Sequence, residues 1–102
     1  MNIHYLDSKE HIIKNTTDYH DQYDKVFIIS QKSILSYQPF IKQLGPNIYF
    51  CDENEQCKSI IQYEKIISYL HDNKCNKNSI IIGIGGGTVT DFCGYVASTY
   101  MR

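Results

Sequence analysis

A run of β-branched residues that ends in three consecutive glycines constrains this chain more than any other feature. Four isoleucines lie within residues 80–84, and residues 85–87 are all glycine. β-branched residues favour strands, and residues without side chains suit a turn in which backbone N–H groups approach a phosphate. The pattern predicts a strand, a glycine turn and the start of a helix. From spacing alone, two interpretations stay open: a tight connection that needs positive φ, or close approach of a diphosphate.

Four apolar runs predict β-strands, at residues 3–6, 25–30, 47–51 and 79–84. The second and fourth runs are continuous and β-branched, as is typical of strands buried on both faces. Such strands alternating with helices predict a parallel sheet with crossover helices, which is a Rossmann-like α/β half-domain. Ligands bind these sheets beyond the carboxyl ends of the strands, where the glycine turn also lies. We therefore expect a nucleotide site at that edge.

The stretches between the strands predict helices near residues 10–14, over 33–44, from about 52 to 72, and from Thr88 or Thr90 to Tyr100. Pro39 falls inside the second stretch, so this helix is expected to begin late or to be kinked. Asp52 is a plausible N-cap for the third helix, with Glu53 and Glu55 in its first turn. The expected buried face of that helix is Ile60, Tyr63, Ile67 and Leu70. Residues 72–78 predict a loop.

The charge distribution argues against several classes of partner. The chain has 102 residues and a formal net charge of −1, with acidic and basic residues interspersed. Because no Lys/Arg cluster is present, neither nucleic acid nor an anionic membrane is an expected partner. The longest apolar run is too short to span a bilayer, and the N-terminus does not resemble a signal peptide. A cytoplasmic protein is expected.

The cysteines and histidines do not form a recognisable metal motif. The four cysteines, Cys51, Cys57, Cys75 and Cys93, include no C-x-x-C pair. Without a secretory signal, free reduced thiols are the better interpretation than disulfides. The spacing of Cys51 and Cys57 matches no common zinc pattern. We therefore expect no metal ligand or catalytic residue in the chain.

Two motifs resemble those of a known enzyme family. The last 18 residues, GGGTVTDFCGYVASTYMR, are similar to the signature of 3-dehydroquinate synthase and its sugar-phosphate cyclase relatives, in which GGG-x-x-x-D-x-x-G-[FY]-x-A precedes an arginine. Upstream, NEQCKS at residues 54–59 resembles the G-E-x-x-K-S element of that family. The motifs occur in the family's order. The resemblance covers residues 25–102 and implies the N-terminal NAD-binding part of the family's fold.

The resemblance also implies a role for individual residues. The implied NAD pyrophosphate site is Gly85, Gly86, Gly87, Thr88 and Val89, with Asp91 near the nicotinamide. Glu55 and Lys58 would bind the ribose region of NAD, and Arg102 the phosphate of the substrate. Spacing alone allows simpler roles: a surface ion pair for Glu55 and Lys58, helix capping for Asp91, and a solvated terminus for Arg102.

The sequence departs from the family pattern at two places. Asn54 replaces the glycine of the first motif, and asparagine can adopt the left-handed conformation that glycine allows there. The family's D-x-N element after the first nucleotide strand is replaced by Gln31, Lys32 and Ser33. If the missing acid normally holds the adenosine ribose, recognition of that ribose here is open.

The implied reaction converts 3-deoxy-arabino-heptulosonate 7-phosphate to 3-dehydroquinate with elimination of phosphate, in the shikimate pathway. In this family NAD is recycled within one turnover, and a divalent metal, zinc or cobalt, acts as a Lewis acid. The metal ligands belong to a downstream helical domain. We therefore expect residues 1–102 to be a partial NAD-binding domain, the N-terminal fragment of a longer enzyme, inactive alone and derived from a family that forms homodimers.

Three alternatives stay open. A cyclase of the 2-deoxy-scyllo-inosose or valiolone type shares these motifs, and the residues that discriminate substrates lie mostly after Arg102. Metal-dependent polyol dehydrogenases share the glycine turn, but Phe92 and Cys93 follow Asp91 where they carry a small residue and lysine. The third alternative is a nucleotide-binding module without catalysis.

Overall fold

The computed structural model describes residues 2–5, 9–36, 39–51, 60–85 and 87–100. These residues form a parallel β-sheet with helices on both faces. The strands are β1 (Asn2–Tyr5), β2 (Lys25–Gln31), β3 (Ile48–Cys51) and β4 (Ser79–Ile84). The α-helices are α1 (Lys9–Gln22), α2 (Ile60–Asp72) and α3 (Gly87–Tyr100), and two short 3₁₀ helices cover Lys32–Ser36 and Pro39–Gln43.

The strand order in the sheet is β1-β4-β2-β3, and every neighbouring pair is parallel. The two central strands, β4 and β2, are the continuous isoleucine-rich runs, and Ile28 pairs with Ile82 between them. Parallel strands require crossover connections, and helices supply them here. The Rossmann-like α/β class expected from the sequence is confirmed, and the expected strands match β1 to β4 to within one residue at each described end.

The core consists of two apolar layers, one on each face of the sheet. The layer under α2 and α3 contains Phe27, Ile29, Ile66, Leu70, Ile81, Val89, Phe92, Cys93 and Val96, among others. The layer under α1 and the 3₁₀ helices contains Ile12, Val26, Ile28, Ile34, Ile41, Leu44, Ile80, Ile82 and Ile84. Successive residues of β2 and β4 alternate between the layers, which explains why all of β4 and residues 26–30 of β2 are buried.

The expected helix over residues 33–44 is wrong. The chain forms the two 3₁₀ helices instead, and the second begins at Pro39. Proline lacks the N–H that a helix interior requires, and it disfavours helical geometry in the residue before it. By contrast, the helical turn expected near residues 10–14 lies in the N-terminal half of the 14-residue helix α1.

The buried face expected for α2 is also wrong in part. Ile60 is 76% exposed, and the buried residues are Gln62, Ile66 and Leu70. A polar residue occupies the buried stripe because the Tyr49 hydroxyl donates a hydrogen bond of 3.2 Å to Gln62 Oε1. The other two expected residues, Tyr63 and Ile67, are partly buried against the core.

The ends of α2 and α3 can be compared with the expected N-cap, loop and final helix. The N-cap Asp52 and the acids Glu53 and Glu55 lie outside the described residues. The expected loop after α2 is confirmed, since α2 ends at Asp72 and β4 begins at Ser79. Helix α3 begins at Gly87, one residue before Thr88, and ends at Tyr100 as expected.

Candidate functional site

The carboxyl ends of the four strands meet at one edge of the sheet. Tyr5 at the end of β1 pairs with Ile84 at the end of β4, and Gln31 at the end of β2 pairs with Cys51 at the end of β3. The glycine turn begins directly after Ile84. This edge is therefore where the loops of a parallel sheet converge, and we call it the carboxyl edge.

The segments that follow the two central strands pack on opposite faces of the sheet. After β2, Ile34 and Ile41 of the 3₁₀ helices pack into the layer under α1. After β4, Val89 and Phe92 of α3 pack into the layer under α2. Where adjacent strands diverge in this way, a crevice opens between them at the carboxyl edge, and ligands of open α/β sheets bind in such a crevice.

A buried hydrogen bond joins the two strands at this crevice. The Ser30 hydroxyl on β2 donates to the backbone carbonyl of Ile84 on β4 over 2.7 Å, and Ser30 is fully buried. The last paired residues of the ladder between these strands are Ile29 and Gly83. The side chain of Ser30 thus provides a bond one residue beyond the point where backbone pairing ends. Buried polar groups of this kind are almost always satisfied, and here the partner is the carbonyl that precedes the turn.

Gly85 makes the turn from β4 towards α3. Its φ is +152°, which side-chain-bearing residues rarely adopt. A Cβ at this position would lie 3.2 Å from both Cβ and Cγ2 of Val89. Glycine is therefore required for two separate reasons, backbone conformation and space. The structure favours the positive-φ interpretation of the glycine run at Gly85.

The first turn of α3 provides positive electrostatic potential at the carboxyl edge. The first N–H groups of a helix have no partner within the helix, and the helix dipole adds partial positive charge there. No acidic residue lies in this first turn. Val89 is fully buried in the core, so it can offer a ligand only its backbone. Asp91 lies one turn further along and is exposed.

The structure brings together five of the residues expected to hold NAD. Gly85, Gly87, Thr88, Val89 and Asp91 all belong to the turn and the first turns of α3. Four expected residues, Gly86, Glu55, Lys58 and Arg102, lie outside the described residues. The residue that sequence reasoning missed is Ser30. Its only signal is that a serine follows the apolar run VFII, where the strand reaches the carboxyl edge.

The described thiols are poorly suited to nucleophilic or metal chemistry. Cys51, Cys75 and Cys93 are not joined in disulfide bonds. Burial raises the pKa of the Cys93 thiol to about 12, and burial also raises the pKa of Cys75 despite its hydrogen bond to Ser79. A thiol with a raised pKa is neutral near pH 7, whereas the thiolate is the nucleophile and the ligand. Within the described ranges, no three His, Cys, Asp or Glu residues are grouped so as to hold a metal ion.

No helix in the part of the chain that the structure describes is long and apolar enough to cross a membrane.

The fold and this edge define a doubly wound α/β domain with a glycine turn at the carboxyl end of the central strand β4. A family model described as 3-dehydroquinate synthase N-terminal matches residues 48–102, from the start of β3 to the end of the chain. The chain belongs to the 3-dehydroquinate synthase family. The matched region includes both motifs that carried the resemblance.

Individual relatives extend the similarity towards the N-terminus. A 3-dehydroquinate synthase of Thermoplasma volcanium is 30% identical over 99 residues, which cover 91% of this chain and 28% of the relative. That of Clostridium tetani is 40% identical over 84 residues, covering 76% of this chain and 22% of the relative. A bifunctional 3-dehydroquinate synthase/phosphatase of Fusobacterium nucleatum is 32% identical over 97 residues, which cover 89% of this chain and 15% of the relative. The chain thus spans less than a third of the length of each of these relatives.

Proposed function

We propose that this chain forms part of the NAD site of a 3-dehydroquinate synthase. The observation that carries the proposal is the position of the glycine turn. Gly85 lies between the carboxyl end of β4 and the first turn of α3, at the carboxyl edge where the connections of β4 and β2 diverge and where ligands of such sheets bind. A diphosphate fits the chemistry of this place, because Gly85 has no side chain and the helix start offers N–H groups.

The residues proposed to hold NAD follow from this arrangement and from family membership. The pyrophosphate would bind Gly85, Gly86, Gly87, Thr88 and Val89, mainly through backbone N–H groups. Asp91 would bind near the nicotinamide, while Glu55 and Lys58 would bind the ribose region. When bound, NAD supplies reversible hydride transfer at a substrate hydroxyl. The contribution of this chain is to bind and orient that cofactor.

Gln31 is the residue at the carboxyl end of β2, and it is half-buried. β2 therefore ends in an amide where the family pattern has an acid. An amide can still accept and donate hydrogen bonds to a ribose hydroxyl. We propose that the adenosine ribose is recognised by such neutral contacts.

The chain spans less than a third of the length of these 3-dehydroquinate synthases, so we propose that the whole reaction requires further residues. We propose that the sugar-phosphate substrate binds with its phosphate at Arg102, and that the remaining substrate contacts and the metal ligands belong to the rest of a longer enzyme. This chain alone would then bind NAD without catalysing phosphate elimination. We also propose a cytoplasmic location and assembly as a homodimer.

Substrate choice within the family is the second part of the proposal. The three relatives described above all carry the name 3-dehydroquinate synthase. This supports 3-deoxy-arabino-heptulosonate 7-phosphate over the substrates of the 2-deoxy-scyllo-inosose and valiolone cyclases. It also supports an enzyme component over a nucleotide-binding module without catalysis.

An NMR titration of the full chain with NAD tests the proposed site. We expect amide shifts confined to Gly85, Val89, Asp91 and their neighbours. Asp91→Asn should weaken NAD binding several-fold because the exposed carboxylate is proposed to contact the cofactor. Asp18→Asn on α1, on the opposite face of the sheet, is the matched control and should bind NAD normally. Unchanged spectra at millimolar NAD would refute the proposed function.

A further inference from the structure

Ser30 is a buried polar residue at the carboxyl edge that the proposed NAD contacts do not include. We propose that Ser30 is a positioning residue, whose hydroxyl holds the glycine turn in the conformation that binds the cofactor's diphosphate. This inference rests on the proposed function. It assigns a role to a residue of β2, whereas the proposed diphosphate contacts all come from the turn and α3.

The hydrogen bond from Ser30 acts on the first peptide of the turn. The Ile84 carbonyl that accepts this bond and the N–H of Gly85 belong to one planar peptide unit. Fixing the carbonyl oxygen therefore fixes the direction of the Gly85 N–H. The next rotation along the backbone is the φ of Gly85, which has the unusual value of +152°. Ser30 thus controls the direction in which the backbone leaves β4.

Backbone pairing with β2 ends before this peptide, although β1 pairs with Ile84 through Tyr5 on the other side. The ladder between β2 and β4 ends at the pair of Ile29 and Gly83. Glycine turns are conformationally permissive, and a residue without a side chain cannot be held by packing of its own. On the other side of the turn, Val89 limits Gly85 by close contact. Ser30 therefore restrains the turn from β2, and Val89 restrains it from α3.

The serine is unusual in its surroundings. The preceding four residues of β2 are Val26, Phe27, Ile28 and Ile29, and all are buried. An apolar residue at position 30 would continue the run and bury more apolar surface, but it would leave the Ile84 carbonyl without this bond. A binding turn gains from such preorganisation, because less conformational freedom is lost when the ligand binds.

The test compares Ser30→Ala with Ser79→Ala in the full chain. Ser79 is a matched control, because it is also buried and its Oγ accepts a hydrogen bond from the Asn76 N–H, but it lies at the amino end of β4. NMR titrations with NAD, ADP and adenosine provide the affinities. We expect Ser30→Ala to weaken NAD and ADP binding by about three- to tenfold, as expected for one hydrogen bond, without an equal loss for adenosine. Ser30→Thr, which keeps the hydroxyl, should restore most of the affinity.

The spectra without nucleotide provide a second readout. Ser30→Ala should shift the Gly85 and Val89 amides, whereas Ser79→Ala should leave them in place. Equal ADP affinity in Ser30→Ala and the unsubstituted chain would overturn the positioning role, and so would unmoved Gly85 and Val89 amides. An equal loss for ADP and adenosine would also overturn it, since that indicates a general structural effect. If the unsubstituted chain binds neither NAD nor ADP, the proposed function itself fails.

Discussion

Gly85 and Val89 approach each other so closely that a Cβ on the glycine would lie 3.2 Å from the Cβ of the valine. Val89 is fully buried in the layer under α2 and α3, so it cannot move aside easily. Because α3 is anchored by this layer, the contact fixes the distance between the end of β4 and the first turn of α3. The width of the proposed diphosphate turn is therefore set by core packing.

Gly85→Ala is expected to lower the free energy of unfolding by about 2–4 kcal/mol. The positive φ costs about 1–3 kcal/mol for a residue with a side chain, and the close contact with Val89 adds to it. The same substitution should weaken NAD binding, because the turn must widen. Urea denaturation followed by circular dichroism gives the stability change.

Gly45→Ala is the matched control for that substitution. Its added Cβ would lie 3.0 Å from Nε2 of His20, so the contact is at least as short. However, among the described glycines only Gly85 has positive φ, and His20 is an exposed side chain that can rotate. Gly45→Ala should lower the free energy of unfolding by about 1 kcal/mol at most. That figure includes the loss of the hydrogen bond between His20 Nε2 and the Leu44 carbonyl. Equal losses in the two variants would contradict the role assigned to φ at Gly85.

Thr16→Val is expected to stabilise the chain by about 1 kcal/mol. Thr16 lies on α1 and is 2% exposed, and its hydroxyl has no hydrogen-bond partner among the described residues. A buried hydroxyl without a partner costs free energy, and valine has nearly the same shape. Thermal unfolding of the two chains under identical conditions measures the difference.

Thr17→Val separates this effect from a general preference for valine. The neighbouring Thr17 is exposed, and its hydroxyl donates a 2.9 Å hydrogen bond to the Ile13 carbonyl. We expect a change within about 0.5 kcal/mol, as for most surface substitutions. If Thr17→Val stabilises the chain as much as Thr16→Val, the unsatisfied hydroxyl is not the cause.

The sheet could be predicted from the sequence because β2 and β4 are continuous β-branched runs. For such runs, strand propensity and burial on both faces favour the same structure. The helices were harder to predict. Pro39 begins the second of two 3₁₀ helices where one helix was expected. The buried face of α2 includes Gln62, whose burial depends on a hydrogen bond from Tyr49 of β3. Hydrophobic periodicity contains no information about such a partner.

The location of the candidate site was predictable only where its residues are consecutive. The turn and the start of α3 form one continuous motif, so the proximity of Gly85, Val89 and Asp91 follows from their order, whereas their proposed roles come from the family resemblance. Ser30 is 54 residues distant from Ile84 in the sequence, and only the parallel pairing of β2 with β4 brings the two together. A contact of this kind has no local sequence signature.

Lys74→Gly is expected to raise the free energy of unfolding by about 0.5–1 kcal/mol. Lys74 has a φ of 63°, and it follows α2 in a Schellman-type ending with bonds from Cys75 N–H to Leu70 O and from Lys74 N–H to His71 O. Glycine avoids the steric cost of the left-handed conformation, which exceeds its own entropic cost. Urea denaturation measures the gain.

Lys77→Gly is the control for the loss of a lysine from the same loop. Lys77 is exposed, and Lys74 is the only described residue other than glycine with positive φ. Glycine at position 77 should destabilise the chain by a few tenths of a kcal/mol through the entropy of the unfolded state. A stabilising Lys77→Gly would show that charge, and not φ, governs the effect at Lys74.

The Cys93 thiol is fully buried in α3. Burial raises its pKa from the ordinary 9.0 to about 12. Below pH 9 the thiol is protonated in both the folded and the unfolded chain, so it adds no pH dependence to the free energy of unfolding. Above pH 9 only the unfolded chain loses this proton, so the free energy of unfolding falls by about 1.4 kcal/mol per pH unit until the folded pKa is reached.

Cys93→Ala should remove that part of the pH dependence. Near pH 8 the variant should be less stable by about 1 kcal/mol, because a buried sulfur is lost. By about pH 10.5 the free energy of unfolding of the unsubstituted chain falls by roughly 2 kcal/mol, and that of the variant does not fall through this group. The difference in stability between the two chains should therefore vanish or reverse. Tyr69 and Tyr100 also have pKa values raised by burial, but they titrate in both chains and cancel. Urea denaturation at both pH values measures the difference, and one that stays constant would contradict the raised pKa of Cys93. Cys75→Ala, at a half-buried thiol, should show a smaller change in the same direction.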